Sequence, residues 1–224
     1  LNALIGVLEM GQAATQFYIN LLNATFAAYD DNLSNCIKLF DTDFDAINNL
    51  LPDRSTQLDT IIASHLKKVS LKGLSCILIP NITIHETVDA ILKKKDYGIP
   101  IAHPLLGAIK RMHQTNNRKA VVFGSSYTMT SDYIKSVFAN AEIAISDPKL
   151  EDLQYIDWVR KQVYSESATK ETVKKYNDLL QTYSNETTVL IACTEHSIIS
   201  EVIRENILDF ATIQIEDATS MYLS

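Results

Sequence analysis

Glycine is scarce in this chain of 224 residues, with six in all, and no stretch has a Gly-x-Gly-x-x-Gly or Walker spacing. A glycine-built phosphate cradle is therefore excluded. The three cysteines are odd in number and widely spaced. They make no disulfide framework, and a reducing, cytoplasmic setting is expected. Five histidines show no metal-ligand spacing, so no metal is expected, nor any other cofactor. No uninterrupted apolar run reaches the ~18 residues of a membrane span. Residues Leu1-Asn2-Ala3-Leu4 lack a basic region, so a signal peptide is not expected, and without a starting Met a few residues are expected to precede them. Basic residues are outnumbered, 20 Lys and Arg against 27 Asp and Glu, giving a net charge of −7. That balance argues against a nucleic-acid partner. The short runs Lys93-Lys94-Lys95 and Lys174-Lys175 read as solvated helix faces.

What is present fits a soluble globular chain of one domain or two small ones, with 46% hydrophobic and 21% charged residues. Apolar periodicity alternates between strand and helix along its length. Strands are expected at 3–8, 35–40, 74–79, 119–123, 142–146 and in the run ending at Cys193, with a short proline-bounded strand at 99–104. Helices are expected at 13–26, 54–70, 86–95, 105–113, 131–140, 150–165, 170–184 and 197–205, with a short one at the end. Residues 41–45, 9–12 and 124–129 read as loops. This order predicts parallel sheets covered by helices, with ligands beyond the carboxyl ends of the strands.

One stretch stands out. Thr188-Val189-Leu190-Ile191-Ala192 is an apolar strand that stops at Cys193, followed by Thr194-Glu195-His196 and a helix start. Helix-end N–H groups favour a thiolate there, although a small buried thiol is the commoner role of a cysteine. A second stretch has the same form: Cys76-Ile77-Leu78-Ile79-Pro80, then Asn81-Ile82-Thr83-Ile84-His85-Glu86. The two elbows, Asn81 and Cys193, stand half a chain length apart. The apolar runs 3–8 and 120–124 repeat with similar spacing, which suggests two similar α/β halves.

Other chemistry is weaker. His65 lies on an amphipathic helix, and His103 and His113 lie near helix ends, where structural roles are commoner. Cys193 and His196 alone are too few ligands for zinc. Cys193 as nucleophile with His85 or His196 as base and Asn81 as orienter has the residue types of a thiol hydrolase, but no local pattern marks one.

Several segments, in order, resemble the cofactor-independent aspartate/glutamate racemases of the wider Asp/Glu/hydantoin racemase superfamily. Met10-Gly11 with Ala14-Thr15 and Tyr18 is similar to the family's Gly-Gly-Met-Gly-Pro-Glu-Ala-Thr…Tyr segment. Asp43-Phe44 resembles its Asp-bearing loop, and Pro80 to His85 its Pro-Cys-Asn-Thr-Ala-His. Gly124-Ser125-Ser126-Tyr127-Thr128-Met129 is similar to Gly-Thr-x-x-Thr-Met, Ala192-Cys193-Thr194-Glu195 to Gly-Cys-Thr-Glu, and Ile215-Glu216-Asp217-Ala218 to the closing segment. The resemblance spans essentially the whole chain. It implies racemisation without pyridoxal phosphate, in which two thiols serve opposite faces of one α-carbon.

The chain departs from that pattern at Asn81, which stands where the first cysteine belongs and cannot exchange a proton usefully near pH 7. Cys76, five residues back, cannot replace it. Ile82 takes the place of the family's Asn, and Leu8-Glu9 the place of Gly-Gly, where a carboxylate would repel a ligand carboxylate. Some relatives carry Thr at the first position, and the arylmalonate decarboxylases keep only the second cysteine. The expected fold is two pseudo-symmetric flavodoxin-like domains, 1–104 with about 206–224, and 105–205, with the active site in a cleft between them. The expected site has Cys193 as the surviving acid/base and Asn81 at the other thiol's position. Met10, Gly11, Asp43, Thr83, Ser125, Tyr127, Thr128, Thr194 and Glu195 would contact a small carboxylate or amino-acid ligand. The resemblance also implies a homodimer. Three functions follow: acid/base chemistry at an amino-acid α-carbon, ligand binding by a degenerate homologue, or one-faced thiol chemistry such as protonation after decarboxylation or acyl transfer.

Overall fold

Leu4-Ile5-Gly6-Val7-Leu8 is β-branched and aliphatic except at Gly6, and Ile5, Val7 and Leu8 are wholly buried. A strand apolar on both faces fits only the centre of a sheet covered on two sides. It sits there in a computed structural model that describes residues 4–29 and 36–224. The chain divides into two units, residues 1–103 with 214–224, and residues 104–213. Residues 206–213 thus group with the second unit.

The first unit holds β1 (Leu4–Leu8), α1 (Gln12–Ala27), β2 (Ile37–Phe40), α2 (Phe44–Asn48), α3 (Thr56–Ser70), β3 (Leu74–Leu78), a 3-10 turn (Ile82–Ile84) and α4 (His85–Leu92). Its strands run parallel in the order β2-β1-β3. The strand expected at 99–104 is reduced to one parallel bridge, Ile101 to Ile77. Pro100 has no N–H to donate, and Pro104 opens the next helix. Helix starts follow side-chain capping: Ser55 Oγ accepts from Leu58 N, and Asp43 Oδ1 accepts from Ala46 N at 3.0 Å. The expected loop 41–45 therefore ends in a helix at Phe44. Ala3 and Asn35, the first residues of two expected strands, lie outside the described residues. Leu8, Ile47, Leu58, Ile62, Leu66, Ile77, Ile79 and Val88 form one buried cluster beneath this sheet. Each such side chain contributes about 1.5–3 kcal/mol of transfer free energy.

The second unit holds α5 (Pro104–Gln114), β4 (Lys119–Phe123), α6 (Ser126–Thr130), α7 (Asp132–Ala139), β5 (Ala144–Ser146), α8 (Leu150–Tyr164), α9 (Lys170–Ser184), β6 (Thr188–Ile191), α10 (Thr194–Ile199), β7 (Ile207–Asp209) and most of the first turn of α11 (Phe210–Leu223). Its sheet is parallel, in the order β5-β4-β6-β7. Two elements differ from the sequence reading. The loop 124–129 carries the short helix α6, capped by Ser125. The helix expected over 197–205 is the shorter α10, and the chain turns back into β7, which pairs with β6.

β4 and β6 are neighbours whose outgoing connections leave in opposite directions along the sheet, β4 to β5 and β6 to β7. At such a point the carboxyl ends of two parallel strands open a crevice that neither crossover covers. Ala192 N bonds to Phe123 O at 2.8 Å there, holding the two strand ends level.

Candidate active site

The four residues of β6 are all buried, and so is Ala192. Cys193 then leaves the sheet in an extended conformation, φ −154° and ψ 131°, and stands as the residue before α10. Its carbonyl accepts from the backbone N–H groups of His196 and Ser197, both at 3.1 Å, and from Ser197 Oγ at 3.2 Å. These bonds fix the turn and leave the side chain half-buried at the carboxyl end of the sheet.

The thiol is not the thiolate that its place before a helix suggests. Cys193 Sγ donates to Glu195 Oε2 at 2.7 Å. Burial, and then the Glu195 charge and that hydrogen bond, push the thiol well above its ordinary value. The Arg160 charge and the Glu195 backbone N–H pull the other way and lose. The reason is one of magnitude. Burial first, and then a full carboxylate charge in contact, outweigh the half-charge at the end of a six-residue helix. Cys193 is a protonated thiol with a base on its proton.

Next to it, Ser125 Oγ accepts from Thr128 N at 3.1 Å and shares a 2.8 Å hydrogen bond with Thr128 Oγ1. Thr128 is buried, while Ser125 and Tyr127 are half-buried. Gly124 lets this turn lie close: a Cβ there would meet Thr128 side-chain carbons at 3.2 Å and Ala192 O at 3.4 Å. The structure thus gathers Ser125, Thr128, Cys193, Thr194 and Glu195 at the ends of two paired strands.

Four residues that the sequence reading did not single out belong to this neighbourhood: Asp157, Arg160, Lys161 and Asp209. Asp157 of α8 accepts from Ser126 N at 3.3 Å and from Arg160 Nε at 2.9 Å, and pairs with Lys161 Nζ at 2.7 Å. Burial alone would raise its carboxyl, but the Lys161 and Arg160 hydrogen bonds outweigh it and hold Asp157 at about 2. Asp209, at the end of β7, accepts from Ser197 Oγ at 2.8 Å and Ala211 N at 2.9 Å. Burial raises its carboxyl. The Asp157, Arg160, Lys161 spacing reads in sequence as a surface ion-pair set. Only burial separates it from one.

In the first unit Asn81 has φ −154° and precedes the 3-10 turn, its Oδ1 accepting from Thr83 N at 3.0 Å. The amide is a turn cap beside a half-buried Thr83. Cys76 is fully buried with its thiol pushed up to about 12 by burial, so it offers no substitute acid/base. Met10, expected to contact ligand, instead has its side chain in the core cluster while its N–H donates to Thr15 Oγ1. A long apolar side chain at the buried end of β1 gains more from packing than from a cleft. Asp43 is exposed and caps α2. Gly11, with φ +86°, borders an open cleft of about 330 Å³ at the carboxyl ends of β1 and β2, which Glu9 also lines.

Neither histidine of the hydrolase alternative reaches a thiol. His85 Nε2 lies 3.3 Å from Ile79 O and His196 Nε2 3.0 Å from Ile156 O. Both rings are fully buried, and the Nδ1 of each has no hydrogen-bond partner. Burial lowers His85 to about 3 and His196 to about 4, so both are neutral. Among the described residues no group of three His, Cys, Asp or Glu could hold a metal ion. No helix among them is long and apolar enough to cross a membrane.

A family model described as Asp/Glu/Hydantoin racemase matches residues 5–220. The fold is similar to a Yersinia pestis protein of known structure, with a TM-score of 0.83 and 18% identity over 99% of this chain and 100% of that one. It is also similar to an aspartate racemase homologue from Pyrococcus horikoshii OT3, at TM-score 0.80 and 14% identity over 100% of both chains. The Picrophilus torridus aspartate racemase gives a TM-score of 0.70 and 17% identity, covering 98% of this chain and 95% of that one. At these identities the likeness to the solved structures is one of fold. Among curated proteins none matches.

Proposed function

The chain belongs to the Asp/Glu/hydantoin racemase family, and on that premise we propose that it performs acid/base chemistry at the α-carbon of an amino acid or related carboxylate. Cys193 is the group that gives or takes the proton. The observation that carries this reading is the 2.7 Å hydrogen bond from the Cys193 thiol to Glu195. A thiol kept protonated at neutral pH is a proton donor, and its conjugate thiolate is correspondingly a stronger base.

In the donating direction the S–H bond breaks and the proton goes to the α-carbon. The carbon's electron pair, spread until then over the substrate carboxylate, forms the new C–H bond. The thiolate left behind has the Glu195 backbone N–H and the Arg160 charge in its favour. In the opposite direction the thiol proton passes to the Glu195 carboxylate, and the thiolate removes the α-proton. The hydroxyls of Ser125, Thr128 and Thr194 are the proposed donors to the substrate carboxylate, where charge builds up as the proton leaves. The same reading assigns ligand contacts to Thr83, Tyr127, Asp43 and the Gly11 turn, and assembly as a homodimer.

Asn81 occupies the position of the first cysteine. Its amide oxygen already accepts from Thr83 N, and a neutral amide does not exchange protons near pH 7. The chemistry is therefore one-faced, with exchange at the α-carbon but no efficient inversion.

Incubation with L- and D-aspartate and L- and D-glutamate in deuterated water tests this. The expected result is α-deuterium in one starting enantiomer, lost in Cys193→Ala. Deuterium accumulating in the opposite enantiomer would show a second acid/base and overturn one-faced chemistry. Exchange that survives Cys193→Ala would remove the thiol from the mechanism. Binding without any exchange would mark a degenerate ligand-binding homologue.

A further inference from the structure

Two neighbouring residues of α8 are bonded to both turns of the candidate site. The carbonyl of Ile156 accepts from His196 Nε2 at 3.0 Å, and His196 lies one turn beyond Cys193 on α10. A carbonyl only accepts, so that ring nitrogen carries the proton. Asp157 reaches the other turn, its Oδ1 accepting from Ser126 N at 3.3 Å. Ser126 opens α6 directly after Ser125, and an N–H in the first turn of a helix has no partner within the helix. Asp157 supplies one. Through His196 and Ser126, α8 is thus tied to the ends of both β6 and β4.

The same Oδ1 accepts from Arg160 Nε at 2.9 Å, while Oδ2 pairs with Lys161 Nζ at 2.7 Å. The two cations differ in place. The Lys161 side chain is 61% exposed, whereas that of Arg160 is 25% exposed and its charge favours the Cys193 thiolate. A long arginine side chain has many rotamers, and fixing one costs entropy. The Asp157 carboxylate, itself buried, holds the guanidinium at its Nε and leaves it one place to be. Groups that act on a reacting atom need such support behind them, because their own rotamers are otherwise free.

We propose that Asp157 is a positioning residue of this site, which holds the Ser125–Thr128 turn and the Arg160 guanidinium in place around Cys193 without touching substrate. Thiolate formation at Cys193 then draws on a cation already fixed, and the hydroxyls of Ser125 and Thr128 keep their place relative to the sulfur. This role rests on the proton transfer at Cys193 proposed above, but the titration of the sulfur reports on it without any turnover.

Titration of the Cys193 13Cβ resonance and α-deuterium exchange, both on the full chain, test it in Asp157→Ala and Asp157→Asn. Asp157→Ala releases Arg160 and Ser126. The Cys193 midpoint should rise, and the kcat of exchange should fall by ~10- to 100-fold, the cost of a small misplacement of reacting groups. Asp157→Asn keeps an oxygen acceptor for both donors and no longer neutralises Arg160. It should recover most of the exchange, with a midpoint at or below the parent's. Asp157→Ser, whose side chain is too short to reach Arg160, should act like Asp157→Ala and serves if that variant does not fold. A midpoint unmoved by Asp157→Ala and Asp157→Ser would overturn the proposal and leave the carboxylate a role in stability alone. A loss of exchange in Asp157→Asn as large as in Asp157→Ala would overturn it too, since charge and not position would then matter. A parent that exchanges no α-deuterium would overturn the proton transfer instead, and the midpoints would still decide the role of Asp157.

Discussion

The imidazole of His196 lies flat against the ring of Tyr176, their centroids 4.9 Å apart and their planes within 5°. Both rings are fully buried, and the imidazole is lowered to about 4, chiefly by burial. The unfolded chain takes up a proton near pH 6.5, and the folded chain does so only near 4. Stability is therefore complete above pH 6.5 and falls as pH drops from 6.5 through 4, by on the order of 3 kcal/mol from this group. Urea unfolding at pH 7 and pH 4.5 should show the loss, and His196→Gln should reduce it. Equal pH dependence in both proteins would contradict the assignment.

Asp157 makes the opposite kind of burial work. Its carboxylate is held at about 2 by Lys161 and Arg160 against the effect of burial, so it stabilises the fold at neutral pH by about 2 kcal/mol. That stability is present above the unfolded value near 3.8 and is lost as pH falls through 2. Asp157→Asn should be less stable than the parent at pH 7, and the gap should close below pH 2. A gap that persists there would place the cost in packing and not in charge.

Gly11 holds φ +86° and ψ 146°, a backbone region that side chains rarely adopt, and a Cβ there would meet Phe44 Cε1 at 3.0 Å. Gly11→Ala should destabilise the chain by about 1–3 kcal/mol. The denaturation midpoint should shift with little change in slope. A midpoint equal to the parent's would show that the turn relaxes without strain.

The strand ending at Cys193 was readable in sequence because five apolar residues in a row, flanked by polar ones, have only one place in a parallel sheet. The paired elbow at Asn81 was readable for the same reason. β7 was not, since Ile207-Leu208-Asp209 is too short for any period to show. α2 was hidden in an acidic string whose helical start depends on one cap, Asp43. The protonation of the thiol was not legible in the sequence. Sequence shows that Cys193 precedes a helix, and that alone favours a thiolate. Whether Glu195 turns its carboxylate onto the sulfur is a matter of side-chain geometry, which no spacing encodes. Asp157 and Arg160 were missed for a related cause: an i, i+3 pair on a helix looks solvated until its burial is known.

Cys193 is a thiol whose proton is held by Glu195, and titration of the cysteine 13Cβ resonance reads its protonation state. Cys193 should remain a thiol from pH 6 to pH 9. In Glu195→Gln, which removes the first anion from the sulfur, its titration midpoint should fall, because the Arg160 charge and the backbone N–H then act with less opposition. A Cys193 thiolate already present at pH 7, or a midpoint unmoved by Glu195→Gln, would show that Glu195 does not hold the proton on the sulfur.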